Sequence, residues 1–543
     1  MKENIRNPKD LSISEAVLES ARENPRKTAL TYMNVKINYK KLLRKVEELS
    51  IAFFSLGVRK GDKALVVLPN IPQCVYCLYA LNRIGAVPAF VSPLASVGEI
   101  QTYIEKLRPK VIIALDSLSD KLEEIDYMLK ETLVVLTSPF DELLPFSFTG
   151  KSENLNWHQL LKGKASRNIF ISPQRTSDTA LILFSGGTTG RPKAVEISNG
   201  NLNSLAEGTA SACVKEVRGV KMLSALPMFH GFGLGICVHT VLYYGGNALL
   251  MPRFVPSLAG RLIAKEKPQY LACVPAMLKP LMESKALKKA DLSCLWGVFS
   301  GGDSLPAELE ESFDNFLACR GAKVSVRQGY GLTECVAATC LIPEGVKKPD
   351  CIGKPYDETM YKIVGEASCD ELLRGKVGEI CISGATVMKG YFEDDEETSK
   401  VLRIHSDGKL WLHTGDMGYM DAEGFVYFKG RLKRLIVTNG NNVFPSEIEK
   451  ALLTHPKVSE CCAVGVKDDE KISAVAVFAV LKNHADSETS SALLKAQLME
   501  HLEKFVSKTA RPKYIYFVES LPKTPLGKTD FSALERIADT NIK

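Results

Sequence analysis

The chain carries an apolar strand and a glycine-rich loop in residues 179–202, which read TALILFSGGTTGRPKAVEISNGNL. The predicted strand ends at Phe184, and glycines and hydroxyl residues follow over 185–190. Because glycine tolerates positive φ angles, such a loop can turn several backbone N–H groups towards one anion. Lys193 supplies a positive charge suited to phosphate. The stretch therefore predicts a phosphate-binding loop rather than a flexible surface turn. Arg191 and Pro192 separate the last glycine from the lysine, so the loop is not a Walker A motif.

Short apolar runs surround this loop and predict the fold class. They occupy residues 63–69, 87–93, 111–116, 133–137, 181–185, 270–275, 295–301 and 323–331. Helical spacing of apolar residues over 39–56, ended by Gly57, and a helical stretch over 73–85 alternate with the first of them. Short apolar strands between helices are typical of a parallel sheet that is covered on both faces. We therefore expect an α/β fold built of βαβ subdomains.

The pattern changes after about residue 360, where shorter strands with turn glycines predict antiparallel sheet. From about residue 431 the chain is typical of a small α+β unit. Ser446 and Glu449 form a predicted capping box that opens a helix, and strands over 473–481 and 514–520 flank a helix over 488–505. We expect an N-terminal body of residues 1–430, which includes a small β-barrel-like part, and a mobile C-terminal lid of residues 431–543.

Composition and charge exclude several classes of protein. The 543 residues are 45% hydrophobic and 24% charged, which excludes a disordered, collagen-like or coiled-coil chain. The net charge of +6 is spread along the chain and is too weak to indicate a nucleic-acid partner. The polar N-terminus does not resemble a signal peptide, and the C-terminus carries no targeting address. These features predict a cytoplasmic protein.

Residues 222–252 contain no Lys, Arg, Asp or Glu, a length that exceeds the roughly 20 residues needed to cross a bilayer. Pro227 and several glycines break the stretch into short pieces. It is therefore interpreted as buried core with a loop that lines a cavity, and no transmembrane segment is expected.

The fourteen cysteines do not form the pattern of a disulfide scaffold. Cys74-x-x-Cys77 is compatible with a redox or metal site, but no second pair accompanies it. The two residues are interpreted as small hydrophobic side chains one helical turn apart. Reduced thiols fit a cytosolic compartment.

Five motifs together resemble those of the AMP-forming adenylate ligases, a superfamily that includes acyl-CoA synthetases, peptide-synthetase adenylation domains and beetle luciferases. The motifs are SGGTTGRPK (185–193), QGYGLTE (328–334), HTGD (413–416), GRLK (430–433) and PKTPLGK (522–528). They occur in the family's order and at its usual intervals, and fatty acyl-CoA synthetases are the most similar in appearance. The resemblance implies ATP, Mg²⁺ and coenzyme A as cofactors and a small-molecule carboxylic acid as substrate.

The resemblance also implies a role for individual residues. The glycine-rich loop and Lys193 would hold the β- and γ-phosphates, Tyr330 would stack on adenine, and Thr333 would bind the α-phosphate. Glu334, together with Thr188, would hold Mg²⁺, a hard cation that prefers carboxylate and phosphate oxygens. The predicted catalytic residues are Lys528, Glu334, Thr188, Lys193 and His230. The predicted cofactor-binding residues are Ser185, Gly186, Gly187, Thr188, Thr189, Gly190, Lys193, Gly301, Gly302, Asp303, Gln328, Gly329, Tyr330, Gly331, Thr333, Asp416, Arg431, Lys433, Gly440 and Lys528.

Three further segments would complete the nucleotide site. Asp416 resembles the family aspartate that accepts the ribose hydroxyls, and this match favours the ribose role over that of an aspartate in an Asx turn. Arg431 resembles the arginine that reaches the ribose or phosphate. The segment SGGD (300–303) resembles the one that lies along the adenine, and its glycines could also open the acyl channel.

The C-terminal motif places a lysine in a loop rich in proline and glycine, which suits a lid that delivers charge on closure. By resemblance Lys528 bridges the carboxylate and the α-phosphate during adenylation, whereas Lys523 is interpreted as a solvated surface lysine. Lys433 matches the hinge about which the C-terminal domain rotates between half-reactions. Arg434 follows it, where an acidic residue is frequent in the family, and adds local positive charge.

The segment PMFHGFG (227–233) resembles the substrate-pocket motif of the family. Amino-acid-activating relatives usually carry an aspartate there, and an unpaired ammonium in an apolar site costs several kcal/mol. The absence of an acid favours an apolar substrate, such as a medium- or long-chain fatty acid, and Cys335 to Ala338 are small and apolar. His230 could gate the pocket and contact the carboxylate, or it could be a core histidine that is hydrogen-bonded to backbone.

The acceptor thiol is predicted less sharply than the acid. The loop around Gly440 forms the thiol tunnel in the family, and the basic residues over 429–434 could serve coenzyme A phosphates. A carrier-protein phosphopantetheine would use the same tunnel, so a carrier-loading enzyme remains an alternative. A nucleotide-binding sensor without chemistry is disfavoured because Lys193, Glu334 and Lys528 are all present.

Overall fold

The computed structural model describes residues 10–144, 154–162, 173–186, 192–365, 368–438, 441–468, 471–482, 491–523 and 529–542. The chain folds as two compact units, Met1–Tyr361 with Ile382–Leu412 and Lys362–Cys381 with His413–Lys543. The boundary near Gly430 and the mobility of a C-terminal lid remain predictions.

The strands and helices given below are those of the described residues. The strands are β1 (Thr28–Tyr32), β2 (Val35–Asn38), β3 (Lys63–Val67), β4 (Val87–Phe90), β5 (Val111–Leu115), β6 (Leu133–Thr137), β7 (Leu155–Asn156), β8 (Thr179–Ser185), β9 (Lys193–Ser198), β10 (Lys221–Ser224), β11 (Asn247–Leu250), β12 (Tyr270–Cys273), β13 (Gly297–Ser300), β14 (Val326–Gly331), β15 (Ala338–Leu341), β16 (Cys351–Pro355), β17 (Thr359–Val364), β18 (Gly378–Gly384), β19 (Gly390–Tyr391), β20 (Leu402–Ile404), β21 (Leu410–Met420), β22 (Val426–Arg431), β23 (Ile436–Thr438), β24 (Asn441–Val443), β25 (Val458–Asp468), β26 (Lys471–Leu481) and β27 (Tyr514–Phe517). The α-helices are α1 (Ile13–Glu23), α2 (Tyr39–Ser55), α3 (Pro72–Arg83), α4 (Val97–Leu107), α5 (Ser119–Glu123), α6 (Trp157–Lys162), α7 (Asn199–Ser211), α8 (Val241–Tyr243), α9 (Pro256–Glu266), α10 (Pro275–Glu283), α11 (Ala307–Ala318), α12 (Asp395–Val401), α13 (Pro445–Leu453), α14 (Ser491–Glu503) and α15 (Phe531–Ile542).

Two sheets with parallel centres form the first unit, as the apolar runs predicted. One has the strand order β19-β9-β8-β4-β3-β5-β6-β7, with β8, β4, β3, β5, β6 and β7 parallel in succession. In the other, the first unit contributes the order β16-β15-β14-β13-β12-β10-β11-β1-β2. Its strands from β14 to β1 are parallel. The α/β class and the large first unit are thereby confirmed.

One apolar face of the first sheet packs against α4 in a single core cluster. Leu65, Ile112 and Ile182, from three strands of that sheet, are fully buried and share one cluster with Ile100 and Ile104 of α4. These strands are almost entirely buried because helices cover them, which explains why their sequences are runs of apolar residues rather than alternating patterns.

The uncharged stretch 222–252 folds as β10, a π helix over Phe232–Thr240, the short helix α8 and β11. Leu234, Cys237 and Val238 of the π helix are completely buried. The interpretation of this stretch as core is confirmed, and no helix among the described residues is long and apolar enough to cross a membrane.

The second unit contains the predicted α+β arrangement. Strands β25, β26 and β27 form one sheet, in which β25 and β26 are antiparallel and β27 runs parallel to β26. Helices α13 and α14 pack on it through Ile448 and Leu498, and α15 packs through Leu534 and Ala538. These two core clusters contain only residues of the second unit.

The predicted capping box at Ser446 is wrong. Helix α13 begins at Pro445, so Ser446 lies inside the first turn, and its hydroxyl donates a hydrogen bond to the carbonyl of Lys429. Proline is favoured at the first helical position because its fixed φ suits the helix and its missing N–H would be unpaired there. Pro445 therefore starts the helix earlier than the serine pattern suggested.

The cysteines are free thiols, and all fourteen fall within the described ranges. Cys74 and Cys77 are fully buried on α3, and burial raises the pKa of both thiols. Their interpretation as small hydrophobic side chains is confirmed.

Candidate functional site

The predicted phosphate loop connects two antiparallel strands. Ser185 ends β8 and lies opposite Lys193, which begins β9. Gly186 is exposed, and the loop residues Gly187, Thr188, Thr189 and Gly190 lie outside the described residues. The described ends therefore place Lys193 at the base of the loop.

Lys193 makes two contacts with a segment about 200 residues further along the chain. Its ammonium lies 2.5 Å from a carboxylate oxygen of Glu397 on α12. It also lies 4.6 Å from the ring centroid of Tyr391, over the aromatic face. A cation over an aromatic ring is attracted by the negative face of the ring. The two contacts fix the direction of the lysine side chain.

The same tyrosine holds the predicted metal ligand. The hydroxyl of Tyr391 donates a hydrogen bond of 3.0 Å to Oε1 of Glu334, and the N–H of Met388 donates to the Glu334 carbonyl at 2.8 Å. Burial, and then the neighbouring Glu334 carboxylate, raise the pKa of Tyr391, so that it remains a donor. Tyr391 thus links Glu334 and Lys193, the two charged residues that the motifs predicted for magnesium and phosphate.

A strained turn follows Glu334. Val336 has φ of +66° and ψ of −59°, and the N–H of Ala337 donates to the carbonyl of Cys335 at 2.7 Å, which closes a three-residue turn. A positive φ is a true outlier for a β-branched residue. Residues held in such strained conformations cluster at functional sites, where the surrounding packing compensates the cost.

Two glycines of the motifs, Gly231 in PMFHGFG and Gly331 in QGYGLTE, make room for this turn. A Cβ atom on Gly231 would lie 1.5 Å from the carbonyl oxygen of Val336, and one on Gly331 would lie 1.7 Å from that of Ala337. The backbones of PMFHGFG (227–233) and of QGYGLTE (328–334) therefore both touch the turn that follows Glu334. No side chain fits at either glycine.

The remaining motifs of the first unit converge on the same place. A Cβ on Gly301 would lie 3.1 Å from the carbonyl oxygen of Gly329 and 3.6 Å from the ring of Phe232. These contacts join the SGGD segment, the QGYG strand and the substrate motif. Tyr330 and Thr333, at the end of β14 and in the 3₁₀ turn that follows, are partly buried.

The side chains next to these glycines are held by local hydrogen bonds. The amide of Gln328 donates to Glu310 of α11 at 3.0 Å. Asp303 is exposed and accepts from the N–H of Ser304 at 2.8 Å. Gly302 has a left-handed φ of +83°, which explains the glycine in that turn.

His230 is exposed two residues before the π helix, and the centroid of its ring lies 4.7 Å from that of Phe229. The alternative interpretation of a core histidine is therefore wrong for this residue. The buried histidine of the segment is His239, which contacts the Tyr79 hydroxyl at 3.2 Å and Asn203 Oδ1 at 3.1 Å. Burial lowers its pKa to about 3, so it remains neutral.

Asn70 positions the substrate motif and was not found from the sequence. Its amide donates to the carbonyls of Ser224 and Leu226, at 2.9 and 2.7 Å, and it accepts from the N–H of Met228 at 2.9 Å. Asn70 is 1% exposed. A single buried side chain thus satisfies two backbone carbonyls just before PMFHGFG and one backbone N–H within it.

In the second unit the ribose motif forms a charged pair. Asp416 on β21 is 1% exposed, and its Oδ1 lies 3.1 Å from Nε of Arg431 on β22. Gly415 has φ of +68°, and a Cβ added there would meet no atom within 4 Å, so its conformation rather than close contact requires glycine. Glu379, which the sequence did not indicate, accepts from the Gly415 N–H at 2.9 Å and contacts His413 Nδ1 at 2.8 Å.

Most basic residues of segment 429–434, the predicted hinge, are paired with carboxylates. Ion pairs join Lys429 to Glu447 at 2.8 Å and Arg434 to Glu449 at 2.6 Å, in addition to the pair that Arg431 forms with Asp416. Lys433 lies in the 3₁₀ turn Leu432–Arg434. The expectation that Arg434 adds local positive charge is therefore wrong, since Glu449 offsets it.

Two predicted residues of this unit, Gly440 and Lys528, lie outside the described residues. The chain on either side of Lys528 is closed by a bridge between Lys523 and Thr529 and by a hydrogen bond of 2.8 Å from the N–H of Asp530 to the carbonyl of Pro522. Lys523 pairs with Glu460 at 3.0 Å, and both side chains are about half exposed. This surface pair agrees with the interpretation of Lys523 as a surface lysine.

Three thiols lie close to the converging segments. Cys335, directly after Glu334, is fully buried, and burial together with the Glu334 charge raises its thiol pKa well above the usual value. Burial raises the pKa of Cys273 and of Cys340 to about 12. All three are therefore protonated at neutral pH.

Sequence comparisons agree with the motifs. Residues 17–392 match the model of the family described as AMP-binding enzyme, and residues 447–528 match that of the AMP-binding enzyme C-terminal domain. A long-chain-fatty-acid–CoA ligase of Bacillus subtilis is 30% identical over 537 residues, which cover 95% of this chain and 93% of that protein. The peroxisomal OPC-8:0-CoA ligase 1 of Arabidopsis thaliana is 31% identical and covers 93% of this chain and 89% of its own.

A solved structure shares the fold. ATP-bound MatB from Rhodopseudomonas palustris superposes with a TM-score of 0.85 at 24% identity, over 98% of this chain and 100% of that one.

Proposed function

Since the chain belongs to the AMP-binding enzymes of the AMP-forming adenylate ligase superfamily and is an acid–thiol ligase, we propose that it activates a medium- or long-chain fatty acid, or a comparable apolar acid, with ATP and Mg²⁺. The acyl group is then transferred to coenzyme A. In the first half-reaction the substrate carboxylate attacks the α-phosphorus of ATP and releases pyrophosphate. In the second, the thiol displaces AMP and a thioester forms.

The contact of Tyr391 with both Glu334 and Lys193 supports the first half-reaction most directly. Two anions must meet in that step, so positive charge and fixed geometry supply much of the lowering of the barrier. Glu334 offers a carboxylate oriented by Tyr391, which fits the oxygen ligands that Mg²⁺ prefers. Bound there, the ion would neutralise phosphate charge. Lys193 would hold the β- and γ-phosphates, and Thr188 would complete the site.

The apolar character of the substrate motif supports the class of acid. Between Pro227 and Thr240 no side chain is acidic. The residues of the π helix that follow Phe232 are all buried. A substrate ammonium would therefore have no carboxylate partner on this segment, whereas an alkyl or aryl group would be favoured. The Bacillus subtilis relative bears the name of a long-chain-fatty-acid–CoA ligase, which agrees with this choice.

A panel of acids tests the proposal. Each acid is supplied with ATP and Mg²⁺, and pyrophosphate release is measured with and without coenzyme A. Burial of each methylene contributes about 0.8 kcal/mol, so three methylenes should change kcat/KM by about 50-fold. A medium- or long-chain or aromatic acid should exceed acetate and every amino acid. A preference for acetate or for an amino acid would refute the proposed acid class.

The same assay distinguishes the acceptor. Coenzyme A at micromolar to millimolar concentration should saturate thioester formation. Thioester formation that depends on a protein-bound phosphopantetheine and ignores coenzyme A would instead identify a carrier-loading enzyme.

The metal assignment predicts the effect of Glu334→Gln. We expect kcat/KM for ATP to fall about 10- to 100-fold, with a higher Mg²⁺ concentration needed for half-maximal rate, because a ligand charge is lost. Tyr391→Phe keeps the carboxylate and should cause a smaller shift in the same direction. Glu311→Gln, on the exposed side of α11, is the control. An unchanged Mg²⁺ dependence in Glu334→Gln with the fold intact would exclude the metal role.

A further inference from the structure

Lys193 is occupied by an anion of the protein itself. Its ammonium lies 2.5 Å from Oε2 of Glu397, and the two side chains are 22% and 34% exposed. Lys193, which the proposed function assigns to the phosphates of ATP, is therefore already paired with a carboxylate of the protein.

Glu397 is built to remain a carboxylate in this position. Asp394 caps α12 by accepting from the backbone N–H of Glu397 at 3.1 Å, which fixes the first turn of the helix. Oε1 of Glu397 contacts Lys400 at 2.7 Å. Hydrogen bonds from Lys193 and Lys400 lower the pKa of Glu397 to about 2. A permanent negative charge thus bridges two lysines, as a phosphate oxygen would.

The direction of Lys193 does not depend on Glu397 alone. Its ammonium also lies over the ring of Tyr391, and its backbone is paired with Ser185 in the β8–β9 hairpin. The lysine would therefore keep its place if the carboxylate were removed or displaced. Exchange of one anion for another at a fixed lysine is then a simple competition.

We propose that Glu397 is an internal competitor of the polyphosphate. It holds Lys193 in the nucleotide-free enzyme and gives it up when ATP or pyrophosphate binds. The inference rests on the proposed role of Lys193 toward the β- and γ-phosphates. Glu397 thereby weakens the binding of ATP and pyrophosphate alike, which favours the departure of pyrophosphate after adenylation. AMP carries neither phosphate and is outside the competition.

Binding measurements on Glu397→Gln test this inference. Calorimetric titrations with ATP and Mg²⁺, with pyrophosphate and Mg²⁺, and with AMP are compared in the wild type and the variant. Loss of a partly exposed ion pair is typically worth up to a few-fold in an equilibrium constant. We expect ATP and pyrophosphate to bind about two- to five-fold more tightly, with AMP unchanged. Because surface charges are screened, the gain should shrink at high salt.

Glu396→Gln is the matched control. Glu396 is the preceding residue of the same helix and pairs with Lys400 at 2.8 Å, and its side chain is 84% exposed. The Glu396→Gln variant removes the same charge and a contact with Lys400 but leaves the Lys193 pair intact. It should therefore leave the affinities for ATP, pyrophosphate and AMP unchanged. ATP binding by Glu397→Gln that is no tighter than in Glu396→Gln would overturn the inference.

Lys193→Ala separates this inference from the proposed function. Lys193→Ala should weaken the binding of ATP and of pyrophosphate but not that of AMP. In the Lys193→Ala background, Glu397→Gln should have no further effect on these affinities. If Lys193→Ala leaves ATP binding unchanged, the phosphate role of Lys193 fails. If it weakens ATP while Glu397→Gln alone brings no gain, only the competition fails.

Discussion

Lys528→Ala is expected to slow acyl-adenylate formation by about 10²–10³-fold, equivalent to about 3–4 kcal/mol. The expected loss follows from the removal of a positioned charge that, by resemblance to the family, acts between the attacking carboxylate and the α-phosphate. The same variant, supplied with synthetic acyl-adenylate and coenzyme A, should regain much of the wild-type rate of thioester formation. Single-turnover measurements of pyrophosphate release and of thioester formation check the two halves separately.

Lys523→Ala is the control for this prediction. Lys523 lies five residues earlier and pairs with Glu460 on the surface at 3.0 Å. It carries the same charge, so a general electrostatic effect of the segment would appear in both variants. We expect Lys523→Ala to change adenylation less than about threefold, in line with an exposed ion pair. If Lys528→Ala slows adenylation and thioester formation from preformed adenylate equally, the role of Lys528 is not confined to adenylation.

Gly231→Ala should abolish most activity and destabilise the first unit by about 3 kcal/mol or more, because overpacking at a rigid contact is costly. The φ of Gly231 is −56°, which alanine adopts readily, so backbone conformation does not oppose the change. The added Cβ would lie 1.5 Å from the Val336 carbonyl oxygen and must push the turn behind Glu334 away. Thermal unfolding and ATP binding, measured on the same preparation, report the two effects.

Gly98→Ala is the control for Gly231→Ala. Gly98 lies in the first turn of α4, and no atom lies within 4 Å of an added Cβ. Since alanine is the better helix former, stability should stay the same or rise by up to about 1 kcal/mol. A Gly231→Ala enzyme as stable and active as Gly98→Ala would show that the close contact at Val336 does not exist in solution.

The helices and strands were largely predictable because their signals are local. Apolar spacing and Gly57 predicted a helix over 39–56, and α2 spans Tyr39–Ser55 with Gly57 at a left-handed φ of +86°. Runs of apolar residues located β3, β5 and β8 within a few residues. The Ser446 pattern failed for an equally local reason, since a neighbouring proline set the start of the helix.

The charged residues of the motifs were also predictable, but their partners were not. Lys193 and Glu397 are separated by 204 positions, and Tyr391 and Glu334 by 57. No spacing rule joins residues that only tertiary folding brings together. The positive φ of Val336 was hidden for a different reason, because a β-branched residue is the least expected in that conformation.

The buried thiols bear on a hazard of the proposed chemistry, the acylation of the enzyme by its own intermediate. An acyl-adenylate is a mixed anhydride that reacts with thiolates, and the enzyme carries fourteen cysteines of its own. Because thiolates rather than thiols are the nucleophiles, burial that keeps Cys273, Cys335 and Cys340 protonated withholds them from reaction. The acyl group is then left for the external thiol, so chemoselectivity follows from the low polarity around these side chains.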